Sequence, residues 1–162
     1  MNATDNEVFD EVKSLLDGSI GDVFKTVFAR DILSANLPDL PAAGQPVVAG
    51  SVGFIGDLNG MVYLFFGADF ARELAGQFLG DPLLGESEEL VNDVVGELSN
   101  MVVGAVKSQL CDRGRSCVLT IPSVLRGVNL TTTGVQAARR QSFGFRCGDG
   151  WLLVELHLKP GF

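Results

Sequence analysis

The sequence predicts an α+β fold, with helices packed on a largely antiparallel sheet. Helical periodicity occupies two long stretches, near residues 8–28 and 90–110. Runs rich in β-branched and aromatic residues fall at 47–55, 61–66, 117–121, 124–133, 141–147 and 151–158. Two pairs of these runs are joined by short turns of hairpin type.

The first forty residues read as helix. Val8, Val12, Leu15 and Leu16 keep helical spacing, and after Asp17-Gly18 a second phase runs through Ile20, Val23, Phe24, Val27 and Phe28. This gives an N-terminal helical segment over 1–40 and a domain over 41–162, one compact unit overall. Residues 37–46 (LPDLPAAGQP) form a linker, because three prolines among small residues sustain neither a helix nor a central strand. The strands at 47–55 and 61–66 flank Gly56-Asp57-Leu58-Asn59-Gly60, whose Asn-Gly ending signals a hairpin. A helix from about Asp69 buries Phe70, Leu74 and Phe78 and stops at Gly80, before Asp81-Pro82. Ser87 caps a second long helix, with Glu88 and Glu89 set favourably against its N-terminal dipole, running to about Leu110. The remaining β runs follow, the last two joined by Gly148-Asp149-Gly150. The order is ααββααββββ, without internal repeats or low-complexity segments.

Length and charge narrow the function classes. A chain of 162 residues, 46% apolar and 20% charged, makes one domain that needs neither metal nor disulfide to fold. A formal charge of −8 argues against nucleic-acid and anionic-membrane partners. The imbalance is uneven: residues 111–162 carry three acids and seven bases, a scattered solvated face rather than a binding patch. The uncharged stretch 41–56 holds two prolines and four glycines and is too short to span a bilayer. The opening is acidic, unlike a secretory leader, and three cysteines without a C-x-x-C read as reduced thiols in a cytoplasmic protein.

The chemistry is carried by the second long helix. At about 100° per residue, Val91, Val94, Val95, Leu98, Met101, Val102, Ala105 and Val106 share one broad arc. Asp93, Glu97, Asn100, Gly104 and Lys107 share a narrow exposed one, with Glu97 and Asn100 side by side. This departs from helix economy, since an interior glycine costs about 1 kcal/mol against alanine and asparagine is also a poor helix former. Gly96 and Gly104 flank Asn100 at i−4 and i+4, so they clear a notch through which another surface can approach the backbone. The alternative is that both glycines serve helix–sheet packing and that Asn100 is merely solvated.

Other sites are weaker. His157, the single histidine, alternates away from Leu152, Val154, Leu156 and Leu158, and reads as a surface strand histidine. One histidine and scattered cysteines make no zinc set. Residues 53–60 lack phosphate-loop spacing. Asp93 and Glu97 read as a solvated acidic ridge rather than as an acid–base pair.

The segment ELSNMVVGAVK at 97–107 resembles the E-x-x-N-x-x-x-G-x-x-K helix of the CheC/CheX/FliY phosphatases. Residues 52–60 resemble the first hairpin of the CheX branch, and residues 121–127 (IPSVLRG) its Pro-to-Gly segment, so the likeness covers roughly 45–158. It implies a phosphatase acting on the aspartyl phosphate of a phosphorylated CheY-like receiver domain. Asn100 would position the attacking water and Glu97 would pair with the receiver's lysine. Asp93, Gly96, Gly104 and Lys107 would line the contact. No cofactor would be bound by this chain, and Mg2+ would sit in the partner receiver. CheC-type members carry two such helices; here the early helix lacks the motif, which implies one site and the CheX branch. A homodimer through sheet extension is also implied. The rival reading is a non-catalytic CheX-like adaptor that docks a receiver through the same helix.

Overall fold

A computed structural model describes residues 3–41, 43–133 and 138–160. In chain order they form α1 (Ala3–Phe28), β1 (Leu33–Ala35), a 3-10 turn (Leu37–Asp39), β2 (Pro46–Gly56), β3 (Leu58–Gly67) and α2 (Ala68–Leu79). A second 3-10 turn (Pro82–Glu86) leads to α3 (Glu88–Asp112), β4 (Cys117–Leu119), β5 (Ser123–Val128), β6 (Arg139–Cys147) and β7 (Gly150–Pro160). The seven strands make one sheet, ordered β1-β6-β7-β3-β2, and every pairing is antiparallel. Along the outer side of β2, β5 pairs with residues 46–51 and β4 with residues 54–56.

Alternation sorts the sheet into two faces. Val48, Val52, Phe54, Val62, Leu64, Phe66, Leu152, Val154, Leu156 and Leu158 point to the helices and join the main core. The three helices close this core with Phe9, Leu16, Ile20 and Phe24 of α1, Phe70 and Leu74 of α2, and Val91, Val95, Leu98 and Val102 of α3. The opposite face carries a smaller cluster of Leu40, Val47, Ala49, Phe65 and Trp151.

Several elements differ from the sequence expectation. The two helical phases of the N-terminal segment are one helix, because Leu15, Leu16, Ile20 and Phe24 all reach the core and Gly18 faces open space. That helix ends at Phe28 rather than near residue 40: Ala29 turns left-handed (φ 52°), and the Arg30 N–H closes the end on Phe24 C=O. Leu33–Ala35 then adds to β6 as an edge strand. In the expected linker 37–46, of which residue 42 lies outside the described residues, Leu37–Asp39 forms a 3-10 turn.

The first hairpin turns at Gly56-Asp57 rather than at Asn59-Gly60. Gly56 takes φ 153°, and Asn59 Oδ1 accepts its N–H at 3.1 Å, so the asparagine fastens the turn from the returning strand. Phe78, expected in the core, is 37% exposed near the end of α2. Strand β5 stops at Val128, where Asn129 turns left-handed, instead of running to Thr133.

His157 is the largest correction: it is fully buried rather than on the surface. Its ring packs 5.2 Å from the Tyr63 ring, and Nε2 lies 2.5 Å from Glu155 Oε1, which also accepts from Thr132 Oγ1. Alternation placed it on the correct face but could not tell that Thr132 and Tyr63 cover it.

Candidate functional site

Helix α3 starts where the sequence predicts, with Ser87 Oγ accepting the Leu90 N–H at 3.3 Å and Glu88 and Glu89 in the first turn. It is held from both sides. Ser19 Oγ of α1 donates to Val102 C=O at 2.7 Å in the core, and buried Ser99 donates to Val95 C=O at 2.7 Å. Ser99 seats against Gly50 of β2, where a Cβ would collide with its Oγ. The helix therefore sits directly on the strand.

Burial leaves a narrow free stripe. Val94, Leu98 and Val102 bury one flank, and Ser99, Val103 and Leu110 the other. Between them stand Asp93 and Glu97, both exposed, and Asn100, Gly104 and Lys107, half-buried. All five predicted residues on this arc thus come together on one ridge. Among the described residues, no hydrogen bond or ion pair engages the side chain of Glu97 or Asn100. Gly104 opens on empty space, with nothing within 4 Å of where a Cβ would stand. Gly96 does not share that opening: a Cβ there would touch Val124 Cγ2 at 3.5 Å and Pro122 Cβ at 3.9 Å. The notch is open on the C-terminal side of Asn100 and walled on the other by the segment joining β4 to β5.

That wall was not apparent in the sequence. It runs antiparallel to α3, from Cys117, within electrostatic reach of Lys107, past Pro122 and Val124 to Arg126. Arg126 Nε donates to Asn92 Oδ1 at 2.6 Å and its Nη2 to Glu88 C=O at 3.0 Å, which ties β5 to the start of the helix. The one available signal was the Pro-to-Gly spacing, which marks the segment but not its position.

Perturbed titrations lie off the ridge. Burial pushes the Cys117 thiol up, helped by nearby Cys111 and Asp57 and opposed by Lys107. Burial likewise raises Cys147 against the pull of Arg30, and raises Asp17 against that of Lys13. Cys117 and Cys147 are therefore poor nucleophiles at neutral pH. Among the described residues no group of three or more His, Cys, Asp or Glu side chains could hold a metal. No helix among them is long and apolar enough to cross a membrane.

The ridge is a projection and not a pocket. A cavity of about 390 Å³ lies between the start of α2 and the start of β7, against Phe70, Arg72, Asp149 and Trp151. Another, of about 440 Å³, lies at the start of α3 against Arg72, Glu86, Glu88 and Arg126. Neither is lined by Glu97 or Asn100. A carboxylate and an amide that stand out from a rigid helix, with bulk removed beside them, are suited to entering another molecule's site.

Comparison with known proteins places the fold in a family. The family model described as chemotaxis phosphatase CheX matches residues 48–146. The CheY-P phosphatase CheX of Thermotoga maritima is 25% identical over 126 residues, 72% of this chain and 77% of that protein. The crystal structure of chemotaxis protein CheX from Vibrio vulnificus superposes with a TM-score of 0.78 at 26% identity, covering 92% of this chain and 99% of that one. The CheX chain of a CheX–CheY–BeF3–Mg2+ complex from Borrelia burgdorferi superposes with a TM-score of 0.73 at 16% identity, covering 90% of this chain and 96% of its own. On the extent of these matches, the chain belongs to the CheX family of chemotaxis phosphatases.

Proposed function

We propose that this chain hydrolyses the aspartyl phosphate of a CheY-type receiver domain, using Asn100 and Glu97 of α3. The observation that carries the reading is the pair itself: adjacent, unengaged by the chain's own side chains, and beside the open face of Gly104. Asn100 enters the receiver's site and holds a water in line with the phosphorus. Its amide both donates to and accepts from that water without becoming charged. The water oxygen bonds to phosphorus, the bond from phosphorus to the aspartyl oxygen breaks, and inorganic phosphate and a free aspartate carboxylate result. Glu97 pairs with the receiver's active-site lysine and fixes the register of docking. Asp93 and Lys107 extend the contact along the ridge, and Gly96 backs it where the β4–β5 wall closes in. The receiver supplies the Mg2+. Catalysis on this side is positioning. The setting is cytoplasmic, where receivers act. A second copy of the chain would add to the sheet at the free edge of β5 or of β1.

The test is the decay of receiver acyl phosphate with wild-type protein and with Asn100→Ala. Wild type should shorten the lifetime, and the variant should lose about 10²–10³-fold in rate while still binding. If neither alters the decay and both bind, the chain is an adaptor that docks a receiver through the same ridge.

A further inference from the structure

The segment walling the ridge carries a feature that its packing does not explain. Thr120 faces Gly53, with its N–H on Gly53 C=O at 2.8 Å, and pairing resumes at Ser51 and Ser123. Ile121 and Pro122 therefore stand opposite Val52 alone, a β-bulge at the junction of β4 and β5. Val52 faces the helices, and Pro122 lies against Gly96, one turn from Asn100. Ile121, its neighbour in the chain, is 88% exposed, the highest value among the exposed large hydrophobics of the described residues.

We infer that Ile121 is part of the receiver-docking surface and reads an apolar side chain beside the receiver's phosphorylated aspartate. The inference rests on the ridge reading given above and deepens it. Continuity favours the receiver as occupant, because Pro122 lies against Gly96, one turn from Asn100, and Ile121 is its exposed neighbour. A second copy paired along this edge is disfavoured at this point. Pro122 has no N–H to offer a strand, and a bulge turns the edge away from regular pairing. The ridge supplies charge and an amide; Ile121 supplies apolar area that a lysine–glutamate pair cannot, and so discriminates among receivers that share the same active-site residues.

The experiment measures hydrolysis against phosphorylated-receiver concentration for wild type, Asn100→Ala, Ile121→Asp and Ile121→Val, each checked by circular dichroism and sedimentation. Ile121→Asp should raise KM about tenfold with kcat unchanged, and Ile121→Val should stay near wild type. An active wild type with an unaltered KM in Ile121→Asp overturns the inference and leaves the ridge reading standing. A change in association state instead of KM assigns Ile121 to a second copy, and also overturns it. If wild type fails to accelerate decay, the ridge reading falls and this inference falls with it.

Discussion

Single residues on α3 separate structural need from docking need. Gly104 is the sharpest case, since the free chain places nothing within 4 Å of its missing Cβ. The fold gives no reason for glycine there, and an interior helical glycine costs about 1 kcal/mol against alanine. Gly104→Ala should therefore raise stability by up to about 1 kcal/mol. Gly104→Phe should leave the melting temperature near wild type while impairing receiver-phosphate hydrolysis, because the ring stands in the approach to Asn100. Normal hydrolysis by Gly104→Phe would show that nothing comes close at this position. The ridge was legible at this scale because Asn100 and Gly104 violate helix propensity together on one narrow arc. Gly96 differs from Gly104 in that a Cβ there would make ordinary contacts with Val124 Cγ2 at 3.5 Å and Pro122 Cβ at 3.9 Å, so it borders the wall rather than open space.

At the scale of elements, the seating of α3 on β2 fixes where the ridge stands, and one contact governs it. Ser99 is fully buried against Gly50, and a Cβ at Gly50 would also meet Ser99 Cβ at 3.0 Å and Val95 Cγ1 at 3.3 Å. The Ser99 hydroxyl cannot swing away freely, because it is bonded to Val95 C=O inside the core. Gly50→Ala should thus cost about 1–3 kcal/mol in denaturant unfolding by forcing helix and strand apart. Adding Ser99→Ala should recover part of that loss by removing the hydroxyl; an additive double variant would refute the contact.

Elements with strong local signals were readable: Ser87 starts α3 and Gly80 ends α2 in the left-handed conformation, as their residue types demand. Those decided by distant partners were not. Leu33–Ala35 is a strand only because β6 is there to pair with it, and Asn59 fastens a turn at Gly56 instead of making one. His157 is buried by Thr132 and Tyr63, neither of which is near it in sequence.

For the whole molecule, the question is whether the N-terminal segment is an appendage or part of the domain. Its charges suggest the former and its packing the latter. Arg113–Glu11 at 2.7 Å and Arg139–Asp10 at 3.6 Å tie the acidic start to the basic last third. Arg126, Arg140 and Arg146 are also engaged within the chain, by Asn92, Glu155 and Asp39 C=O. Five of the seven bases read as a scattered face thus have internal partners, but exposed pairs of this kind contribute only about 0–1 kcal/mol each. The apolar contribution is larger. Phe9, Val12, Leu15, Leu16, Ile20, Val23 and Phe24 are all buried in the main core. At about 1.5–3 kcal/mol each, seven such side chains supply on the order of 10–20 kcal/mol, comparable with the whole net stability of about 5–15 kcal/mol of a typical domain. We therefore propose that residues 41–162 do not form a domain by themselves and that α1 is a core helix. A chain of residues 29–162 should lack a cooperative thermal transition, and full-length Val12→Asp should melt far below wild type through an uncompensated buried charge. A cooperative melt near wild type in the shortened chain, with receiver-phosphate hydrolysis intact, would make α1 an accessory and place the source of α3's rigidity in the sheet alone.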